Sequence, residues 1–202
     1  MFDVLIIGGG VAGISCALVL GSAHQKPFVQ NKKIGIILHQ KSSDLQDAVF
    51  NNAFGIAPGT LGSELLNTSS QHLATKYPHI EKIMGEKVMA IEGNYPEFKV
   101  ITNKNTYAAK SIVLAIGQSN TFAIEGLMDF VISHKKALPS KQRIQLINED
   151  HLVKEGMYVA GTLAGWRSQL SIAAGSGAAV ATDILTLWND NVPAQSHDSI
   201  KK

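Results

Sequence analysis

Short apolar runs that end in glycine alternate with a helical pattern in the first part of the chain. Phe2–Ile7 and Ile34–Leu38 consist mainly of aliphatic side chains and predict strands buried on both faces of a parallel sheet. Val11–Ser22 lies between them, carries no charge and predicts a helix buried on most sides. A strand, a helix and a strand in this order require a right-handed crossover, so the pattern predicts an α/β fold.

The rest of the chain adds two helices and a small antiparallel unit. Gly62–Lys76 has leucines along one side and predicts an amphipathic helix, and apolar or small residues recur with helical spacing over 169–188. Turn residues at 93–94 and 103–105 separate strand patterns, which predicts an antiparallel β-meander. The strands predicted in this part are 86–93, 97–102 and 106–108 in the meander, followed by 111–116 and 157–160.

Length and composition fit one globular domain. The chain has 202 residues, a net charge of +2 and 45% hydrophobic residues, which excludes a disordered or collagen-like chain. The near-neutral charge argues against a nucleic-acid partner. We expect a single domain over 1–190 and a polar tail over 191–202, with fraying from Asn189. The segment 118–155 shows the least regular pattern.

The apolar stretch 4–23 is open to more than one interpretation. It is about long enough to cross a bilayer or to act as a signal sequence. However, Asp3 is the only charge before it and glycines interrupt it. We therefore favour a strand followed by a helix, and we expect no membrane segment and a cytoplasmic protein.

The cysteine and histidine residues give no sign of a metal or dithiol centre. The one cysteine, Cys16, excludes an internal disulfide and a CxxC pair, and it is expected to be a core residue rather than a reactive thiol. The seven histidines lack metal-ligand spacing, so we expect no metal site and histidines at the surface. His134, Lys135 and Lys136 form a cationic patch that either attracts an acidic partner or is simply solvated.

A glycine-rich motif stands between the first strand and the first helix. Gly8 permits a tight turn, Gly10 lets the backbone approach a pyrophosphate, and Gly13 lets the helix pack close to the sheet. The start of the helix offers unpaired N–H groups to phosphates. The predicted dinucleotide-binding residues here are Gly8, Gly9, Gly10, Val11, Ala12 and Gly13.

The acidic residue usual at the end of the second strand of such a unit is missing. His39 and Gln40 stand there instead. Their side chains either bond a ribose hydroxyl or merely begin a surface loop.

Two further glycine sites follow later strands. Ala115, Ile116 and Gly117 end one buried strand, and Gly161 and Thr162 follow another. Ser168 is a good N-cap residue for the last helix. The first turn of that helix contains the remaining candidate ligands, Gln169, Leu170 and Ala173. Ordinary packing of a helix on a sheet is the alternative explanation for the small residues.

Together these residues resemble the flavoprotein disulfide reductases, most closely the FAD domain of the low-molecular-weight thioredoxin reductase family. The resemblance implies a Rossmann-like FAD-binding domain whose first glycine motif holds the FAD pyrophosphate. It also implies that Asn52 lies near the flavin and that the strand carrying Val88 contacts the adenine. The second and third glycine sites correspond to the other two marks of the family.

The chain departs from that family in three ways. Thr162 stands where the family has an aspartate that binds the ribityl chain. The family inserts an NADPH domain after the second glycine site, whereas the segment 118–155 is too short for a nucleotide domain of roughly 100 residues. The redox CxxC lies in the domain that is missing here.

These features predict an FAD-binding flavoprotein, an oxidoreductase with an external electron donor and not a self-contained thioredoxin reductase. The donor is either a protein or free NAD(P)H. The alternatives are a non-catalytic FAD-binding redox sensor or partner-binding module, and an NAD-dependent protein that uses the first motif alone. No side chain stands out as catalytic. Trp166 and Arg167 either shape the flavin pocket or cover an interface, and the apolar run 127–132 builds either a strand or a homodimer interface.

Overall fold

A computed structural model describes residues 1–39, 45–119 and 121–197, and in this part the chain forms one large sheet with helices on one side. Gln40, one of the candidate ribose ligands, lies outside the described residues. The strands are β1 (Phe2–Ile7), β2 (Ile34–Leu38), β3 (Val49–Phe50), β4 (Thr60–Leu61), β5 (Glu81–Met84), β6 (Val88–Glu92), β7 (Phe98–Thr102), β8 (Thr106–Leu114), β9 (Val131–Ser133), β10 (Ile144–Leu146), β11 (Leu152–Lys154) and β12 (Met157–Val159). The helices are α1 (Val11–Ser22), α2 (Gly62–Lys76) and α3 (Leu170–Trp188).

The large sheet has the order β11-β12-β8-β1-β2-β5, and β6 and β7 extend it from β8. The contacts of β12 with β8, β8 with β1, β1 with β2 and β2 with β5 are all parallel. Leu114 lies opposite both Ile7 and Val159, so three neighbouring strands end at the same level. The predicted α/β architecture, with a parallel sheet, flanking helices and an antiparallel meander, is confirmed.

The alternation of side chains along β1 divides the core into two layers. Val4 and Ile6 pack with α1 and α3 on one face of the sheet. Leu5 and Ile7 pack on the other face with apolar residues of the meander and of 124–164. Because both faces of β1 are covered, the strand appears in the sequence as an unbroken apolar run.

The observed strands differ from the predicted ones most clearly at β8 and β5. The segments 106–108 and 111–116 were expected to be separate strands, but β8 is continuous, since Thr106–Ala109 pairs with β7 and the following residues pair with β1. Strand β5 was not predicted because most of its side chains are exposed and two are charged, as is common on an edge strand.

Helix α3 is long and apolar enough to cross a membrane by length and composition alone. Its apolar side chains instead form part of the core. Those buried against α1 and the sheet are Val180, Ala181, Ile184 and Leu185. The described part of the tail also packs, contrary to the expected fraying. Ala194 is buried in the same layer, and the hydroxyl groups of Ser22 and Ser196 are 2.8 Å apart.

Glu86 holds the meander together, which makes the stability of the fold sensitive to acid. The Thr102 hydroxyl donates to its carboxylate at 2.6 Å, and Tyr107 and Asn105 donate to the other oxygen at 2.8 Å. The Thr102 bond, helped by the other two and opposed by burial, lowers the pKa of Glu86 from its ordinary value of 4.5. The stabilising effect is therefore complete above pH 4.5 and is lost as the pH falls through the lower pKa of the folded state.

We expect Glu86→Gln to flatten the acid dependence of stability. The melting temperature of the wild type should fall more steeply than that of the variant as the pH drops below about 4.5, because only the wild type has a carboxylate that takes up a proton there. Glu97→Gln removes an exposed carboxylate from the same meander and should keep the wild-type slope. Equal slopes for all three proteins would contradict this role of Glu86.

Candidate functional site

The first two glycine sites lie side by side at the point where the strand order of the sheet reverses. After β1 the chain forms β2 on one side of β1, and it later forms β8 on the other side of β1. Gly8 follows β1 with a φ of +119°, and a Cβ there would overlap the carbonyl group of Ala115 at the end of β8. A residue with a side chain is therefore excluded at position 8 by both conformation and space. In open α/β sheets, ligands bind at this kind of point.

Gly10 and Gly13 have different surroundings, which fits the different roles predicted for them. A Cβ on Gly13 would overlap the carbonyl oxygen of Gly8, so α1 lies directly against the turn that precedes it. Gly10 is the N-cap of α1 in extended conformation, and a Cβ there would meet no protein atom within 4 Å. The missing side chain at Gly10 therefore leaves space open beside unpaired N–H groups of the helix start, as a pyrophosphate requires.

The third site adjoins the first through α1 and α3. Gly161 follows β12 with a φ of +72°, and a Cβ there would lie 3.0 Å from the Cβ of Ala12. The Gly161 N–H donates to the hydroxyl of Ser176 in α3 at 2.8 Å. Thr162 is half-buried in the short 3-10 turn that follows, and its carbonyl accepts from Gly165.

The start of α3 differs from the prediction by one residue. Gln169 is the N-cap, with no capping bond from its side chain, and Ser168 lies outside the helix and is exposed. The predicted N-cap role of Ser168 is therefore wrong, because the helix geometry begins one residue later. Gln169 is exposed, and Leu170 and Ala173 are half-buried.

An apolar cleft of about 380 Å³ opens at the start of α1. It reaches from Gly10 and Val11 to Leu170 at the start of α3, and α2 and the loop that contains Phe54 form its other walls. A cleft that combines a phosphate-binding helix start with apolar walls suits a nucleotide that carries a ring system.

Three of the remaining candidate ligands have less specific surroundings. His39 is half-buried directly after β2, next to the strand end that Gly8 follows. Asn52 is exposed, whereas its neighbour Asn51 holds the loop by accepting from the Gly59 N–H at 2.9 Å. Val88 begins β6 and its side chain is buried in the second core layer, which leaves its backbone for any ligand contact. The roles of these residues stay predictions.

A chain of hydrogen bonds between polar side chains lies next to the third glycine site and was not predicted from the sequence. The Trp166 indole N–H donates to His151 Nε2 at 3.0 Å, and the Ser176 hydroxyl lies 3.0 Å from the same nitrogen. Nε2 accepts from Trp166 and therefore carries no proton, so the Ser176 hydroxyl donates its proton to Nε2. The oxygen of the same hydroxyl accepts from the Gly161 N–H. Burial lowers the pKa of His151, which favours the neutral ring that this chain needs. No sequence spacing signals such a chain, because it joins residues from separate elements.

Cys16 and His134 show opposite outcomes for two predictions about burial. Cys16 is fully buried in α1, and burial raises the pKa of its thiol, so the predicted core role is confirmed. His134 was expected at the surface, but it is only 7% exposed. It directly follows β9, which pairs with β10 to form the β9–β10 unit, and its N–H donates to the carbonyl of Arg143 directly before β10.

Within the described ranges, His, Cys, Asp and Glu side chains form no group of three that could hold a metal ion.

The comparisons with known proteins point to one family. The family model for pyridine nucleotide-disulphide oxidoreductases matches residues 2–169. A search of curated proteins gave no match. Solved structures of similar fold include an oxidoreductase from Agrobacterium tumefaciens, with a TM-score of 0.72, 14% identity and coverage of 92% of this chain and 98% of that one.

Two further solved structures are named as thioredoxin reductases. One is from Gloeobacter violaceus, with a TM-score of 0.69, 16% identity and 98% coverage of both chains. The other is a ferredoxin-flavin thioredoxin reductase from Clostridium acetobutylicum, with a TM-score of 0.67, 18% identity and coverage of 93% of this chain and 98% of that one. At these identities the likeness shows a shared fold.

Proposed function

The chain belongs to the pyridine nucleotide-disulphide oxidoreductase family, and we propose that it is an FAD-dependent oxidoreductase whose flavin is reduced by an external donor. The family is one of FAD-binding proteins, in agreement with the prediction from the glycine sites. The observation that carries the proposal is the short connection between β8 and β12, where the resembling reductases carry an NADPH domain. The described residues of this connection form the short strands β9, β10 and β11 and two 3-10 helices, and they are too few for a nucleotide domain of roughly 100 residues.

The residues of the site fit FAD in three respects. The bare backbone at Gly10 and the first N–H groups of α1 would hold the pyrophosphate. The apolar cleft between Val11 and Leu170 would exclude water from a bound ring system. The Thr162 hydroxyl would offer a hydrogen bond where the resembling reductases offer a carboxylate. When bound, FAD supplies the redox chemistry, and the protein binds and orients it.

The chain has no dithiol that could take electrons from a flavin. Cys16 is its one cysteine, and it is fully buried with a raised pKa, so no thiolate is available for disulfide exchange. A bound FAD would therefore have to exchange electrons directly with an external donor and acceptor. One similar structure is named for ferredoxin and flavin together, which supports a protein donor as one of the two candidates beside free NAD(P)H.

The test is an anaerobic reduction of the FAD-loaded protein. Separate samples receive NADPH, NADH or a chemically reduced ferredoxin, and the loss of visible flavin absorption is followed in time. We expect one of these donors to bleach the flavin. In excess, the same donor should sustain many turnovers with an artificial acceptor, at a rate well above that of the donor and acceptor mixed without the protein.

A chemical reductant provides the control for this test. Dithionite should bleach the flavin whatever the physiological donor is, so it shows that the cofactor is competent. If dithionite reduces the flavin and none of the three donors does, the proposed oxidoreductase is contradicted and the non-catalytic sensor or partner-binding module is favoured.

A further inference from the structure

A second cavity, of about 280 Å³, lies beside the predicted flavin site and is distinct from the apolar cleft. We refer to it as the cationic pocket. Its lining includes Lys136, Lys141, Arg143 and Arg167, together with His134 and Ser168. The pocket therefore joins the turn after β9, the start of β10 and the segment before α3.

The cations of the pocket are not neutralised within the described part of the chain. The salt bridges found there join Lys33 to Glu81 and Lys110 to Asp3, and neither involves a residue of the pocket. No acidic side chain is among the lining residues. Unpaired cations at close range raise the local positive potential and attract a small anion.

His134 adds a buried hydrogen-bond donor to the same pocket. Its Nδ1 accepts from the Lys136 N–H at 3.1 Å, so the neutral ring carries its proton on Nε2. His134 Nε2 is buried and has no hydrogen-bond partner among the described residues. A buried donor without a partner is uncommon in folded proteins, so a ligand that reached it would gain a directed hydrogen bond.

Two contacts, a cation–π contact and a hydrogen bond, connect the segments that line the pocket. Lys136 Nζ lies 4.3 Å from the centroid of the Trp166 ring, which ties the turn after β9 to the segment before α3. The His134 N–H donates to the carbonyl of Arg143 at 2.9 Å and joins the residue after β9 to the residue before β10.

From these observations we infer that the cationic pocket binds the phosphate group of a small molecule. Arginine guanidinium groups and lysine ammonium groups are the side chains that proteins use for phosphate, and a neutral imidazole N–H adds a directed bond. The concave shape favours a small ligand over an acidic protein surface. The inference stands on the pocket alone and does not require that the flavin be reduced by an external donor.

The test is a calorimetric titration of the protein in the presence of excess FAD, so that the glycine site is filled. Inorganic phosphate, pyrophosphate, NADP⁺ and NAD⁺ are the probes, because the oxidised nucleotides cannot reduce the bound flavin. We expect at least one of them to bind, with an affinity that falls as the salt concentration rises. NADP⁺ binding no tighter than pyrophosphate assigns the site to free phosphates, whereas NADP⁺ binding at least about tenfold tighter assigns it to a nucleotide.

Variants locate the binding in the pocket. Arg143→Gln and His134→Phe should each weaken the binding of the probe by about tenfold or more, because each removes one hydrogen-bond donor to the phosphate. Lys135→Gln is the matched control, since it removes a neighbouring exposed charge that does not line the pocket. Melting temperatures near that of the wild type show that the variants are folded, and Arg167→Gln replaces any variant that is not.

Three results would overturn the inference. The first is that no phosphate compound binds. The second is that binding is unchanged in Arg143→Gln, His134→Phe and Arg167→Gln alike. The third is that polyglutamate binds and the phosphate compounds do not, which would make the pocket a contact for an acidic protein.

Discussion

Gly177→Ala in α3 should destabilise the protein by about 2–4 kcal/mol. Alanine normally stabilises a helix relative to glycine by about 1 kcal/mol. Here the new Cβ would overlap the carbonyl oxygen of Ala12 in α1, and this atom belongs to the backbone and cannot turn away. The two helices would have to separate, and their shared apolar layer would loosen.

Gly175→Ala is the matched control for this variant, in the same helix two positions earlier. A Cβ there would meet no protein atom within 4 Å, so helix propensity alone should decide the outcome. We expect the melting temperature to rise slightly in Gly175→Ala and to fall by roughly 5–15 °C in Gly177→Ala. Equal melting temperatures for the two variants would contradict the close packing of α1 on α3.

Gly10→Ala should abolish most FAD binding while the protein stays folded. The Cβ would enter the open space at the start of α1, which is the proposed position of the pyrophosphate, and it would touch no protein atom within 4 Å. A hydrogen bond to a charged group contributes about 1.5–3 kcal/mol. Losing one such bond lowers the FAD affinity by roughly 10- to 100-fold.

The stability of the FAD-free protein separates a ligand effect from a folding effect. Without FAD, the melting temperature of Gly10→Ala should be only slightly below that of the wild type, because changing the N-cap residue has a small effect on stability. With FAD, only the wild type should gain stability, because only it binds the ligand tightly. Unchanged FAD affinity in Gly10→Ala would show that the pyrophosphate lies elsewhere.

The central strands and helices could be predicted from the sequence because burial on both faces leaves a simple pattern. β1 and β2 are unbroken apolar runs, and Gly8 and Gly117 follow the ends of β1 and β8. Both glycines have a positive φ, and Gly8 also approaches another backbone closely, so the residue type itself carries the information. This is why the glycine sites could be located before any geometry was known.

The features that were not predicted depend on contacts between segments distant in sequence. His134 looks like a member of a solvated basic patch, and only the β9–β10 unit shows that its ring is buried. His151 and Ser176 meet although they are 25 residues apart and follow no common period. Strand β5 has too few buried side chains for a strand pattern and is defined by its pairing with β2.

The most direct test of the account is an equilibrium titration of the FAD-free protein with FAD, followed by flavin absorption and fluorescence. We expect saturable binding that is stoichiometric with the chain and is roughly 10- to 100-fold weaker in Gly10→Ala. Saturation by NAD⁺ together with no uptake of FAD would contradict the account and would favour a protein that uses its first glycine motif for NAD alone.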